Sequence, residues 1–164
     1  MSRAVVRDGF PEALSLRYGM GVMTYSPLAG GWLSGKYRKG QEISGPGSAA
    51  RAQRFPGAYD ATNPANAAKL DAADALAVLA DEAGITLIQM AIAFVTRHPA
   101  VTSAIIGPRT KEHLDTYLVA DGIDLPSDLL GGIDQIVPPG VTINVADNMW
   151  NFGTAALSAA SRRR

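Results

Sequence analysis

Gly21-Val22-Met23-Thr24-Tyr25-Ser26-Pro27-Leu28-Ala29-Gly30-Gly31-Trp32-Leu33-Ser34-Gly35-Lys36-Tyr37 is the stretch that decides the fold. A short β-branched and aromatic strand, Val22 to Tyr25, ends at Ser-Pro, passes through paired glycines and reaches a lysine. That order puts an aromatic ring, a hydroxyl, unobstructed backbone and a cation at the carboxyl end of one strand. Ligands bind at that end in α/β architectures. The stretch from Gly30 to Tyr37 comes close to a Walker A loop, which needs Ser or Thr after its lysine to hold magnesium. Tyr37 stands there instead, and a bulky phenol has no place in a tight metal shell. Taken alone, these residues leave open a nucleotide triphosphatase or an ordinary strand with a glycine-rich turn.

Working outward, Phe10-Pro11-Glu12 opens a short predicted helix that runs to Tyr18 and closes at Gly19. After the lysine, residues from Arg38 to Thr62 are rich in Gly, Pro, Ser, Ala and Arg without a period, and read as a long loop. Asn63-Pro64 supplies an N-cap followed by proline at the first helical position. The helix it opens runs to about Ala83, with Leu70, Ala73, Leu76, Ala77 and Ala80 on one stripe and Gly84 as its stop. Thr86-Leu87-Ile88-Gln89 is a capping box that starts a second helix, Leu87 to about Arg97, ended by Pro99. This helix is apolar nearly all round and is expected to be buried on more than one side.

Val101 to Ile106 is the second strand, largely apolar and expected to be covered on both faces. Gly107-Pro108-Arg109-Thr110 leads from it into a helix capped by Thr110 that reaches about Ala120. Ser127 is expected to cap a last helix, whose Leu129, Leu130, Ile133, Ile136 and Val137 share a face and which Pro138-Pro139 ends. From Gly140 onward no period is visible. The order is helix, strand, loop, helix, helix, strand, helix, helix: an α/β chain with two obvious strands.

The start of the Thr110-capped helix is a ready anion site. Free N–H groups and the positive helix end point outward there, and Arg109 adds a planar, two-pronged donor. With the first constellation, this gives two cationic strand ends about seventy residues apart.

Both constellations resemble the aldo/keto reductases, a family of NADPH-dependent carbonyl reductases built on an eight-stranded (β/α)8 barrel. The run from Val22 to Tyr37 is similar to that family's seventh strand and following loop. The run from Val101 into the Thr110 helix is similar to its eighth strand and the helix that holds the adenosine 2′-phosphate. The resemblance covers roughly Arg17 to Asn148. It implies that Tyr25 stacks on the nicotinamide, that Ser26, Leu28 and Gly31 line the pyrophosphate, and that Lys36 supplies a charge to a phosphate. It implies that Arg109 faces the 2′-phosphate and that Arg51 or Arg54 closes over the cofactor. Where many members grip the adenine with Gln and then Glu-Asn, this chain has His113, Thr116 and Tyr117. Trp32, Trp150 and Phe152 are candidates either to border a substrate pocket or to pack as aromatics of the core and tail.

The family's catalytic Asp, Tyr, Lys and His lie on early strands, and none of the signatures that carry them occurs here. No catalytic role is therefore assigned to any residue. Two strands cannot close a barrel, and on this reading the buried face of the Leu87–Arg97 helix would lack much of its cover. The expectation is the carboxyl-terminal portion of a TIM barrel, with two barrel strands and surrounding helices. Residues 1–164 form a single incomplete domain with a long loop at 38–62 and an irregular tail at 140–164. Its function would be the NADP(H)-binding side of a carbonyl reductase acting on a small-molecule carbonyl, the chain being a truncated gene product, a fragment, or a half that a second chain completes. The alternatives are a non-catalytic nucleotide-binding or regulatory module of the same fold, and a truncated, inactive product.

Composition narrows the class further. The 164 residues fit one domain, and 47% apolar with 18% charged residues suits a globular protein rather than a disordered one. A net charge of zero argues against nucleic acid or an acidic membrane as partner; Arg162-Arg163-Arg164 reads as a solvated tail. The chain has no cysteine, which excludes disulfides and thiolate metal sites, and His98 and His113 are too far apart for a local metal motif. With no membrane-length apolar run and no signal-like start, a cytoplasmic location is expected.

Overall fold

Two short strands, β1 (Met23–Tyr25) and β2 (Ser103–Ile105), pair in parallel, with Met23 opposite Ser103, Thr24 opposite Ala104 and Tyr25 opposite Ile105. The computed structural model describes residues 15–41, 53–60, 62–144 and 147. Parallel partners need a long crossover. Here it carries α1 (Pro56–Tyr59), α2 (Pro64–Glu82) and α3 (Leu87–Thr96), and α4 (Lys111–Val119) and α5 (Ser127–Ile136) follow β2. Thr102 sets the register at the strand entries: its Oγ1 accepts the Val22 N–H at 3.1 Å, and its own N–H reaches the Val22 carbonyl at 2.9 Å.

Local chemistry starts and stops the helices largely where the residues demand. The Asn63 side chain accepts the Ala65 N–H at 3.0 Å, Pro64 opens α2, and Gly84 at φ +70° lets the chain turn after it. The axes of α2 and α3 then meet at 92°. Both halves of the Thr86 capping box form, the Gln89 N–H to Thr86 Oγ1 at 3.2 Å and the Thr86 N–H to Gln89 Oε1 at 2.8 Å. Thr110 Oγ1 accepts the His113 N–H at 3.2 Å to open α4. At α5 the expectation is corrected: Pro126 takes the cap position and Ser127 is already helical, because proline's fixed φ (−63° here) suits a helix entry without a side-chain bond. Of the predicted amino-terminal helix, residues 15–18 are helical and Gly19 follows at φ +62°, whereas Phe10-Pro11-Glu12 lies outside the described residues.

The core lies between α2, α3 and α5. Leu76, Met90, Leu125 and Ile133 are fully buried at its centre, with Leu33, Ala77, Ala80, Ala91 and Leu129 around them. The α2 stripe read from the sequence faces inward: Ala73, Leu76, Ala77 and Ala80 are buried and Leu70 packs at the rim. A Cβ on Gly132 would stand 3.1 Å from the Leu79 methyls, so α5 lies close on α2 there. On α3, Leu87, Met90, Ala91, Ile92 and Ala93 are buried, as expected of a helix apolar nearly all round, so it is less bare than two strands alone would leave it. Its cover comes from α2, α4, the Ala120–Gly122 turn and β2, which pack against it, and from Leu125 in the same core cluster.

Two further expectations are overturned. The second strand is not covered on both faces: Ser103 and Ile105 are exposed, as are Met23 and Tyr25 beside them, while Thr24 is buried and Ala104 half-buried. Alternate side chains point to opposite faces of a sheet, and α3 packs against β2. The 38–62 loop is not wholly irregular either, because α1 forms within it. Pro56 presets the first φ, and the Asn66 side chain captures the Gly57 and Asp60 carbonyls at 3.0 and 2.9 Å. Residues 140–144 carry no regular element, and the rest of the predicted tail apart from Asp147 lies outside the described residues.

Candidate functional site

Parallel pairing sends the segments after Tyr25 and after Ile105 out of the same end of the sheet. One becomes the turn holding Ser26, Leu28, Gly31 and Lys36; the other reaches Arg109 and the start of α4.

The first turn is tightly wound. Ser26 at φ +56° and Ala29 at φ +48° hold left-handed backbone, which side chains other than glycine's disfavour, and Gly30 and Gly31 continue it at +72° and +100°. Ser26 Oγ accepts the Gly30 N–H at 3.1 Å, and the Leu28 carbonyl accepts the Gly31 and Leu33 N–H groups at 2.8 and 3.2 Å. The Leu28 side chain packs on the main core. The Lys36 side chain lies back along the turn: a Cβ on Gly31 would stand 4.0 Å from Lys36 Cε, and the ammonium lies 5.3 Å from the Tyr37 ring centre. Beyond the turn, Arg38 pairs with Asp74 at 2.8 Å and Lys39 with Asp71 at 2.9 Å, fastening the exit to α2.

Tyr25 is 60% exposed on the uncovered sheet face, so its ring is available for stacking. Arg109 and His113 are exposed at the start of α4. The His113 ring lies nearly parallel to that of Tyr117, at 8° and 6.4 Å between centres. Burial raises the Tyr117 phenol above its usual range, and the positive field of Arg109 works against that rise. The Arg109 guanidinium therefore sits close enough to Tyr117 to be felt electrostatically. Thr116, the remaining residue at the adenine-facing places, turns its hydroxyl to the Glu112 carbonyl at 2.9 Å. The structure thus gathers Ser26, Leu28, Gly31 and Lys36 in one turn and Arg109 and His113 on one helix start, with Tyr25 at the strand end.

Trp32 packs among other aromatic rings. It is buried, stacked on Tyr37 at 4.4 Å and on Tyr59 at 5.6 Å between ring centres. Arg54 is exposed with its guanidinium 5.4 Å from the ring centre of Phe55. Arg51, Trp150 and Phe152 lie outside the described residues.

Sequence reading missed a polar cluster under the turn. Lys69 is buried on α2, its ammonium donating to the Ala58 carbonyl at 2.6 Å and to both Asp147 oxygens at 3.0 and 2.9 Å. The same ammonium lies 4.6 Å from the Trp32 ring centre. Burial pulls the Lys69 pKa below its ordinary value, with Asp147 opposing the shift. The signal that points to this cluster is two polar residues, Asn66 and Lys69, extending an otherwise apolar stripe at helical spacing.

Comparison with known proteins bears on this geometry. The profile described as the Aldo/keto reductase family matches residues 5–138. The chain is 35% identical over 130 residues to the "Probable voltage-gated potassium channel subunit beta" of Arabidopsis thaliana, covering 76% of this chain and 37% of that protein. It is 32% identical over 120 residues to "Protein tas" of Escherichia coli strain K12, covering 72% and 32% respectively. It is 33% identical over 141 residues to the "Uncharacterized oxidoreductase YrpG" of Bacillus subtilis strain 168, covering 85% and 39%. The chain thus spans between about a third and two fifths of the length of these relatives.

Proposed function

Because this chain belongs to the aldo/keto reductase family, we propose that it is the NADP(H)-binding side of a carbonyl reductase whose catalytic groups lie outside these residues. The observation that carries the reading is the parallel pairing of Tyr25 with Ile105, which brings the glycine turn and the Arg109 helix start to one end of the sheet.

The residues present suit a phosphorylated dinucleotide. The donor set is cationic, with Lys36 folded beside the turn and Arg109 at the head of α4. Gly30 and Gly31 at positive φ leave the turn's backbone without side chains. NADPH, when bound, supplies the hydride for reduction of a carbonyl to an alcohol. In this reading Tyr25 offers its ring as a stacking surface, and Lys36 supplies a point charge to a phosphate. Arg109 holds a terminal phosphate through its planar pair of donors, aided by the amide end of α4. His113 and Tyr117 offer ring surface rather than the amide and carboxylate groups found in many members.

The remaining strands of a (β/α)8 barrel would pair along the two free edges of the β1–β2 sheet, and the exposed face with Met23, Tyr25 and Ile105 would then look into the barrel. Those strands come from outside these residues, in the same or a second polypeptide. A small-molecule carbonyl compound is the substrate of the completed site.

The test is a titration of the protein with NADPH and with NADH, followed by tryptophan fluorescence. Tighter binding of NADPH supports the reading; equal affinity or no binding of either overturns it. The likeness to a potassium channel β subunit favours a second reading, a nucleotide-binding regulatory module without turnover. Hydride transfer to a carbonyl in the presence of the remaining barrel strands would exclude it.

A further inference from the structure

Asn66 and Lys69 stand three residues apart on α2, and each ties together segments that are distant in sequence. Asn66 donates to the Gly57 and Asp60 carbonyls and accepts from the Asn144 side chain at 2.7 Å. Lys69 joins Ala58 to Asp147 and lies against Trp32. Tyr59 completes the link, its hydroxyl donating to the Gly30 carbonyl at 2.7 Å while its ring stacks on Trp32. Asn144, Asp147 and α1 are therefore fastened to one helix face through two buried polar side chains, and the glycine turn joins them through Tyr59 and Trp32.

Burying an ammonium carries a large desolvation cost unless it is paired and fully bonded. An apolar residue at position 69 would join α2 to the aromatic cluster without that cost. What the lysine adds is geometry, because its donors reach two segments from one atom. We propose that Lys69, with Asn66, is a positioning residue for the Gly30–Gly31 turn, and that Asp147 acts on the turn through it. The contacts stand by themselves; the consequence for cofactor binding rests on the function proposed above.

Hydrogen exchange on the full chain without cofactor tests the coupling. The amides of Gly31, Leu33 and Ser34 report the turn, and those of Met90 and Arg97 in and after α3 report global opening. Lys69→Met keeps the aliphatic stem and removes the charge; it should speed exchange in the turn about tenfold or more while the α3 amides hold. Lys69→Arg should restore most of the protection. Asp147→Asn, a milder change made in case Lys69→Met fails to fold, should show the same pattern with smaller size. Unchanged turn exchange in the folded variants, or equal acceleration in the turn and in α3, overturns the proposal. An NADPH titration of the same proteins keeps the two readings apart. If the unmodified protein binds no NADPH, the functional reading fails and the exchange data still decide this one.

Discussion

Tyr25 and Ile105 are register partners in a parallel pair, so the chain leaves both residues toward the same end of the sheet. A one-residue slip would flip each strand's exposed and covered side chains. Thr24, buried between exposed Met23 and Tyr25, holds the present register, its hydroxyl donating to the Ser103 carbonyl at 3.4 Å. From this relationship comes a site whose two cationic segments are far apart in sequence.

Arg109→Ala should weaken NADPH binding by about ten- to a hundredfold and leave NADH nearly unaffected, the range expected for charge-assisted hydrogen bonds to a phosphate. Fluorescence titrations with the two cofactors measure this directly. A parallel loss for both would mean that the arginine does not discriminate between them.

Tyr117 should titrate above the usual tyrosine range, because burial disfavours its phenolate. Removing Arg109 takes away the opposing positive field, so in Arg109→Ala the phenol should rise further. The stability linked to this group is present in full below pH 10.0, the unfolded value, and is lost as pH climbs through the higher folded pKa. Ultraviolet titration of tyrosinate, with Tyr117→Phe subtracted from the other four tyrosines, reads the shift.

Thr86→Ala removes one side of the capping box and with it the acceptor for the Gln89 N–H. The expected cost is about 0.5–2 kcal/mol of stability, with the fold retained. A thermal melt followed by circular dichroism should show a lower midpoint and the same helical signal.

Met90→Ala should cost about 2–5 kcal/mol, the usual range for truncating a buried methionine. Met90 is wholly buried on α3 and belongs to the core that α2 and α5 share. Denaturant unfolding measures the loss, and a change near zero would mean that these helices do not form a cooperative core.

Much of the helical layout was legible in the residues because its causes are local. Asn63-Pro64, Gly84, the Thr86–Gln89 box and Thr110 each act within a turn of themselves, and all stand where reading placed them. The apolar stripe of α2 was equally plain, since period alone reveals a buried face. Pro126 displaced Ser127 as a cap because two adjacent residues competed for one position.

The candidate site was half legible. The turn's residues and Arg109 stand out by type and order. Trp32 stood open between pocket and core, because an aromatic ring looks the same in sequence whether it lines a cleft or stacks in a core. Lys69 was missed altogether, since its partners Ala58, Trp32 and Asp147 are strangers to it in sequence.

By itself the sequence determined the longer helices, most of their caps and the kinds of side chain at each strand end, since these depend on neighbours a few bonds away. Only the tertiary structure decided which strand face stays bare, which elements cover α3, and that one buried ammonium bonds both Ala58 and Asp147 beside the Trp32 ring. Those outcomes depend on contacts between residues up to about eighty positions apart, and no short-range pattern encodes them.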